Sequence, residues 1–259
     1  MNIHPTAIVD PTATLAAGVE VGAYAYIGPE VEIGPGSKIS HHATVERWTK
    51  IGANATIWPH AALGGDPQDL KYEGEKTFLE VGDQVVVREF ATLNRGTGEG
   101  GGVTRVGDGC LLMAYSHVAH DCQLGKGVVM ANSANLAGHV IIEDRASLGG
   151  LVAVHQFSRI GTFCFLGGAS AANKDLPPYT LCEGNRARVH GLNAIGLKRA
   201  GFTAETIDAL KEAYRIIFRQ GGIRSKVLEE ARKEVPQTPE VVHFIEFIAN
   251  SERGVARAV

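Results

Sequence analysis

The chain has 259 residues and a formal charge of −3, with 44% hydrophobic and 20% charged residues. That balance suits a soluble globular protein and supplies no basic surface for nucleic acid or an anionic membrane, and no run approaches the ~18 apolar residues of a membrane span. Thirty-two glycines are too many for a helical protein and too irregular for collagen, so they point to a fold of many tight turns.

The N-terminal MNIHPTAIVD lacks the basic and apolar regions of a secretory signal, and a cytoplasmic location is expected. From Ile3 onward the chain reads in sixes. The leading residues run Ile3, Val9, Leu15, Val21, Ile27 and on to Leu63, resume at Val81, Val87 and Leu93, and run again from Val106 to Ala172. Of these 26 positions, 24 are Ile, Leu or Val. A period of six is neither the 3.6 of an amphipathic helix nor the two of an alternating strand. It predicts a short strand plus a turn, three of which close a triangular coil of ~18 residues. The fold expected is mostly β, a left-handed parallel β-helix of hexapeptide repeats over 1–178, with a C-terminal α-helical domain over 179–259.

Within each hexad the fifth residue is small or β-branched (Ala7, Ala13, Val19, Ala25), which lets the walls approach. The second is often glycine (Gly22, Gly28, Gly34, Gly107, Gly125), read as relief of the corner. Each buried aliphatic contributes about 1.5–3 kcal/mol, and the two ends of the stack need caps. Cys110, Cys122 and Cys164 occupy the fifth position and, with Cys182, read as small core residues in a reducing compartment.

Two breaks interrupt the series. Residues 64–77 lose the aliphatic pattern, and residues 95–105 are glycine-rich and shift the phase by one. Both are predicted to be loops leaving the prism, where function concentrates on a rigid scaffold. After Pro177-Pro178 helical signals take over. Thr203 caps a predicted helix over 204–220, a second covers 224–234, and Thr238 with Pro239 opens a third. Between prism and helices, 185–203 carries Arg186, Arg188, Lys198 and Arg199 and no carboxylate, which is either a solvated face or a seat for an anionic ligand.

His117, His120, His139 and His155 fall within neighbouring hexads. Residues ~18 apart stack, so His120, Gly138 and Gln156 form one column and Asp121 stacks on His139; all are expected on one wall of the prism. An imidazole can take a proton from a hydroxyl while a neighbouring carboxylate fixes its tautomer. An outward amide at Gly138 can donate to a developing oxyanion. That is the constellation acyl transfer needs. The rival chemistry is a zinc site built on His117, His120 and a third histidine from a neighbouring chain, as in hexapeptide-repeat hydratases of the γ-carbonic-anhydrase type. The long helical end and the loop DPQDLKY count against it.

The motifs QDLKYEGE (68–75), NRGT (94–97), GGGVTRVGDGCLLM (100–113), HVAHDC (117–122), LAGHV (136–140), AVHQF (153–157), PPY (177–179) and GLKRAGF (196–202) resemble those of the UDP-N-acetylglucosamine O-acyltransferases, over essentially the whole chain. The resemblance implies transfer of a (R)-3-hydroxyacyl group from acyl carrier protein to the glucosamine 3-position of UDP-GlcNAc, the first step of lipid A biosynthesis. It implies His120 as general base, Asp121 as its orienting partner and the Gly138 amide as oxyanion donor. It implies substrate contacts at Gln68, Asp69, Lys71, His117, His139, His155, Gln156, Asn193 and Arg199, and an acyl tunnel bounded at Gly168, where glycine admits a chain nearer fourteen carbons than ten. It further implies a homotrimer with the site between subunits and no metal or other cofactor, the donor being acyl carrier protein bearing phosphopantetheine. A sister N-acyltransferase of the same pathway is the nearer alternative. It is expected to carry a further domain ahead of the hexads, which here begin at Ile3.

Overall fold

A computed structural model, describing residues 2–259, gives a left-handed parallel β-helix. Its three walls are parallel sheets. The first contains Asn2–Ile3, the second Ile8–Val9 and the third Thr14–Leu15, and successive strands join them in rotation. Most strands are only two residues long, the sixth position of one hexad and the leading position of the next. Each leading aliphatic points inward, so Ile27, Ile57, Val87, Leu112 and Met130 are completely buried, as are the fifth-position Ala25, Ala43, Ala55, Val128 and Ala134.

The corners follow a rule that differs from the one expected. The second-position glycines are not there for backbone freedom. An added Cβ at Gly34 would lie 2.6 Å from the Gly52 carbonyl carbon, and one at Gly107 2.5 Å from the Gly125 oxygen. They are needed because the coil above passes too close for any side chain. The left-handed residue is instead the fourth of the hexad, and it is mostly not glycine: Tyr24 (φ 58°), His42 (58°), Phe90 (60°), Asp121 (60°), His139 (61°) and Phe157 (61°) all adopt it. Such a conformation costs roughly 1–3 kcal/mol per residue. A hydrogen bond that runs up the corner offsets it: the fourth residue's N–H donates to the third residue's carbonyl one coil earlier, as in His42 to Ala23 (3.0 Å), His139 to His120 (3.0 Å) and Phe157 to Gly138 (3.2 Å).

Both interruptions leave the prism at one corner, between the second and third sheets. Strand Ala62–Gly65 belongs to the second sheet and Phe78–Val81 to the third; Thr92–Asn94 and Val103–Val106 repeat the arrangement. The second loop is therefore shorter than expected, because Val103 to Arg105 already pair with Phe78 to Glu80. The register absorbs the insertions: Thr56 pairs with Lys38, with Val86 across the first loop, and Val86 pairs with Leu111 across the second.

The two ends differ. At the N-terminal end Ile3 is 41% exposed. At the other end the first sheet continues past the hexads into Thr180–Glu183, parallel to Phe165–Leu166, and Arg188–Leu192 turns back antiparallel. A short helix α1 (Ala194–Arg199) follows, then α2 (Ala204–Arg219), α3 (Arg224–Glu234) and α4 (Pro239–Ala249). The Thr203 and Thr238 side chains cap α2 and α4 as expected, and Ile207, Leu210, Phe244, Ile245 and Ile248 form the buried faces. The four cysteines are free and buried, and burial pushes the Cys110 thiol up to about 11 and that of Cys122 to about 12.

Replacing Gly107 by alanine must force the Gly125 backbone aside. A loss of about 1–3 kcal/mol in unfolding free energy is expected, measurable by chemical denaturation; an unchanged midpoint would contradict the close-approach role.

Candidate active site

His120 and Asp121 form the two-residue turn between the second and third sheets, Gly138 and His139 the turn one coil later, and Gln156 and Phe157 the next. The expected stacking holds, with one correction: the shared feature is a corner of the prism, not a wall. The hexad phase explains this, since third and fourth positions fall in the turn and only sixth and leading positions in the strand.

Asp121 is 4% exposed. Its Oδ1 accepts from the Thr97 N–H (3.0 Å), and its Oδ2 from the Thr97 hydroxyl (2.7 Å) and from His120 Nδ1 (2.8 Å). Its own N–H donates to Thr104 Oγ1 at 2.8 Å. A carboxylate only accepts, so Nδ1 carries the His120 ring proton and Nε2 offers its lone pair. The His120 ring lies against Gly138, where any Cβ would come within 2.6 Å of Nε2 and 2.5 Å of Cε1. Gly138 is thus a steric requirement of the imidazole above it. Its N–H, third in the hexad, finds no acceptor among the described residues.

His139 meets His120 edge-on (5.1 Å between centroids) and stacks on Phe157 (4.5 Å). His120, Asp121 and His139 bring potential metal-ligating atoms within 4.8 Å of one another. The Asp121 oxygens are already engaged by three donors, so the cluster is built as a hydrogen-bonded dyad with a neighbour and not as an open ligand set. His117 lies on the adjoining strand of the second sheet, with Nδ1 2.7 Å from Thr92 Oγ1. Burial, then the neighbouring His120, lowers its pKa below the ordinary 6.5.

The two loops cover this corner by holding each other. Arg95, almost wholly buried, donates to the Gly64 carbonyl, the Asp66 carboxylate and the Tyr72 hydroxyl. Asn94 Nδ2 donates to the Asp66 carbonyl (2.8 Å), Lys71 pairs with Glu99 (3.1 Å), and the Gly98 N–H donates to Glu75 (3.0 Å). Asp69 accepts from the Lys71 N–H (3.0 Å) in a turn whose tip residue, Leu70, is fully exposed.

His155 and Gln156 are exposed beside Phe157. Gly168 stands on a different corner of the same chain, between the first and second sheets. Asn193 spends its amide locally: Oδ1 caps α1 by accepting from the Gly196 N–H (3.1 Å) and Nδ2 donates to the Phe163 carbonyl (3.0 Å). Arg199 ends α1, exposed. Sequence reasoning missed Thr97 and Arg95 as individual residues, although both lie in the NRGT motif. No spacing rule could assign the glycine-rich loop as the cover of the Asp121 carboxylate.

The family profile described as UDP N-acetylglucosamine O-acyltransferase, domain 2, matches residues 175–256, and the bacterial transferase hexapeptide profile matches residues 104–138. A curated acyl-[acyl-carrier-protein]–UDP-N-acetylglucosamine O-acyltransferase from Thermodesulfovibrio yellowstonii is 47% identical over 256 residues, 99% of each chain. Its counterpart from Alkalilimnicola ehrlichii is 50% identical over the same share. The chain belongs to the UDP-N-acetylglucosamine O-acyltransferase family. The crystal structure of such an O-acyltransferase from Moraxella catarrhalis superposes with a TM-score of 0.97 at 43% identity, covering 99% of this chain and 100% of that one.

For this O-acyltransferase chain the His117 shift predicts a pH effect. The unfolded chain binds the proton more readily than the folded one. The stability His117 contributes is therefore present above 6.5 and lost as pH falls below it. Between about pH 7.5 and 5.5, His117→Gln is expected to lose less unfolding free energy than the parent; parallel curves would contradict the assignment.

Proposed function

We propose that the chain transfers a (R)-3-hydroxyacyl group from the thioester of acyl carrier protein to the 3-hydroxyl of the glucosamine unit of UDP-GlcNAc. The single observation that carries this reading is the dyad itself: a buried carboxylate fixes the His120 tautomer, and the freed Nε2 lies over a glycine whose N–H is unclaimed among the described residues.

The chemistry follows from those positions. His120 Nε2 removes the proton as the sugar oxygen attacks the thioester carbon. Charge passes to the carbonyl oxygen, and the Gly138 N–H donates to it. Collapse breaks the carbon–sulfur bond, and the imidazolium returns its proton to the departing thiolate. Asp121 stabilises the imidazolium without taking its proton, and Thr97 keeps Asp121 in place. Asp69 and Lys71 on the first loop, with Gln68, His117, His139, His155, Gln156, Asn193 and Arg199, are proposed to bind the substrates. No metal or other cofactor has a part in these steps.

The exposed corner of a prism cannot enclose a substrate, which favours a homotrimer that places a second chain against it. The corner between the first and second sheets is suited to this. Tyr24, His42, His60, Phe90 and Tyr115 stack there in a continuous ladder with centroids 4.9–5.1 Å apart. Tyr24, Tyr115 and Leu151 on the same corner are 61%, 59% and 71% exposed, an apolar stripe of the kind that marks an interface. Gly168 shares that corner, so a partner would bring it toward His120. No described helix is long and apolar enough to cross a membrane, in keeping with a cytoplasmic enzyme.

His120→Ala is expected to fold normally and to lose roughly 10²–10⁴-fold in turnover, read by radiolabelled acyl transfer; near-parental rates would sink the base assignment. In a series of acyl donors, preference should lie nearer fourteen carbons than about ten, since glycine at 168 blocks least. A sharp preference for short chains would refute the tunnel boundary.

A further inference from the structure

After α4 the chain returns to the prism as a strap. Asp175 and Val255 form a parallel bridge, the Asp175 N–H donates to the Gly254 carbonyl (3.0 Å), and the Ala256 N–H donates to the Asp175 carbonyl (2.8 Å). Ser251 Oγ donates to the buried Asp175 carboxylate at 2.6 Å, and Lys174 Nζ to the Arg253 carbonyl at 2.6 Å. The strap sends one side chain to the catalytic corner. Arg253 Nε donates to the Asn173 carbonyl (2.9 Å), and Nη2 lies 2.8 Å from His155 Nδ1. A hollow of about 580 Å³ separates strap and prism here, lined by His139, Ile141, Phe157, Arg159, Asn250 and Arg253 among others.

A guanidinium in a protein donates only and is always protonated. Nδ1 of His155 must therefore present its lone pair to Arg253, which leaves the ring proton on Nε2. The Gln156 carbonyl, 3.1 Å from the same Nδ1, would favour the opposite tautomer. That tautomer would set an N–H against the guanidinium N–H at the shorter distance, donor against donor, and is disfavoured.

We propose that Arg253 is a positioning residue that fixes His155 as an Nε2–H donor to an acceptor oxygen of the bound sugar nucleotide. The substrate in this statement rests on the function proposed above. The tautomer does not.

Two measurements on the full-length protein test it. Nitrogen-15 NMR of histidine-labelled protein should show His155 unprotonated at Nδ1 and protonated at Nε2. In kinetics, Arg253→Met should raise KM for UDP-GlcNAc up to ~10-fold, the size of one lost hydrogen bond, with kcat little changed. Arg253→Lys keeps a cationic donor and should recover part of that loss. In a His155→Ala background Arg253→Met should add less than ~2-fold, because both changes remove one coupled unit. A protonated Nδ1, or single effects that simply multiply, overturns the proposal. Absence of acyl transfer by the unaltered chain would instead count against the reaction, with the tautomer result standing.

Discussion

The hydrogen bond that climbs each corner, from a left-handed residue to the carbonyl one coil earlier, is what the rest of the structure depends on. It stabilises a backbone conformation that Tyr, His, Phe and Asp side chains do not favour alone, and it fixes residues of successive coils one above another. His120, Gly138 and Gln156 are brought into line by this bond, as are Asp121, His139 and Phe157. The proposed base and the proposed oxyanion donor can then lie far apart in sequence on a scaffold without a helix beneath them. The pattern also decides which N–H groups remain free. Fourth-position amides are used along the corner and fifth- and sixth-position amides within the turn and between coils, and the third-position amide of Gly138 is left over among the described residues.

On that frame the dyad is a second-order construction. A buried carboxylate needs several donors, and those of Asp121 come from two sources: the prism supplies His120, while Thr104 accepts the Asp121 N–H, and the glycine-rich loop supplies Thr97. The loop can come so close only because it carries glycines; an added Cβ at Gly100 would lie 2.1 Å from the Asp121 carboxyl carbon. The buried Arg95 ties the first loop to the second, so the proposed nucleotide-binding tip at Asp69 and Lys71 and the cover of Asp121 belong to one assembly.

Much of this was legible in the sequence, for reasons that can be named. The inward aliphatic at every sixth residue, the two departures from the prism and the caps at Thr203 and Thr238 are local signals, and each leaves its mark on residue type. The ~18-residue stacking followed from the period, and it put His120 beside Gly138. Other features were hidden because residue type does not encode them. The second-position glycines looked like corner residues, whereas their role is close approach between coils. The left-handed positions carry Tyr, His, Phe and Asp, which no turn preference would select. Thr97 and Arg253 act across loop and chain-end contacts, 24 and 98 residues from their partners, where spacing says nothing. Asn193 carries a motif match, yet in the structure its amide caps α1 and anchors it to Phe163.

The most direct test of the account is mass spectrometry of the products formed when the purified chain meets UDP-GlcNAc and a mixed pool of 3-hydroxyacyl carrier proteins. The account requires a single acyl adduct, ester-linked at the sugar 3-oxygen, with stoichiometric release of the carrier thiol. An unmodified nucleotide, or an acyl group joined at any other atom, would contradict it.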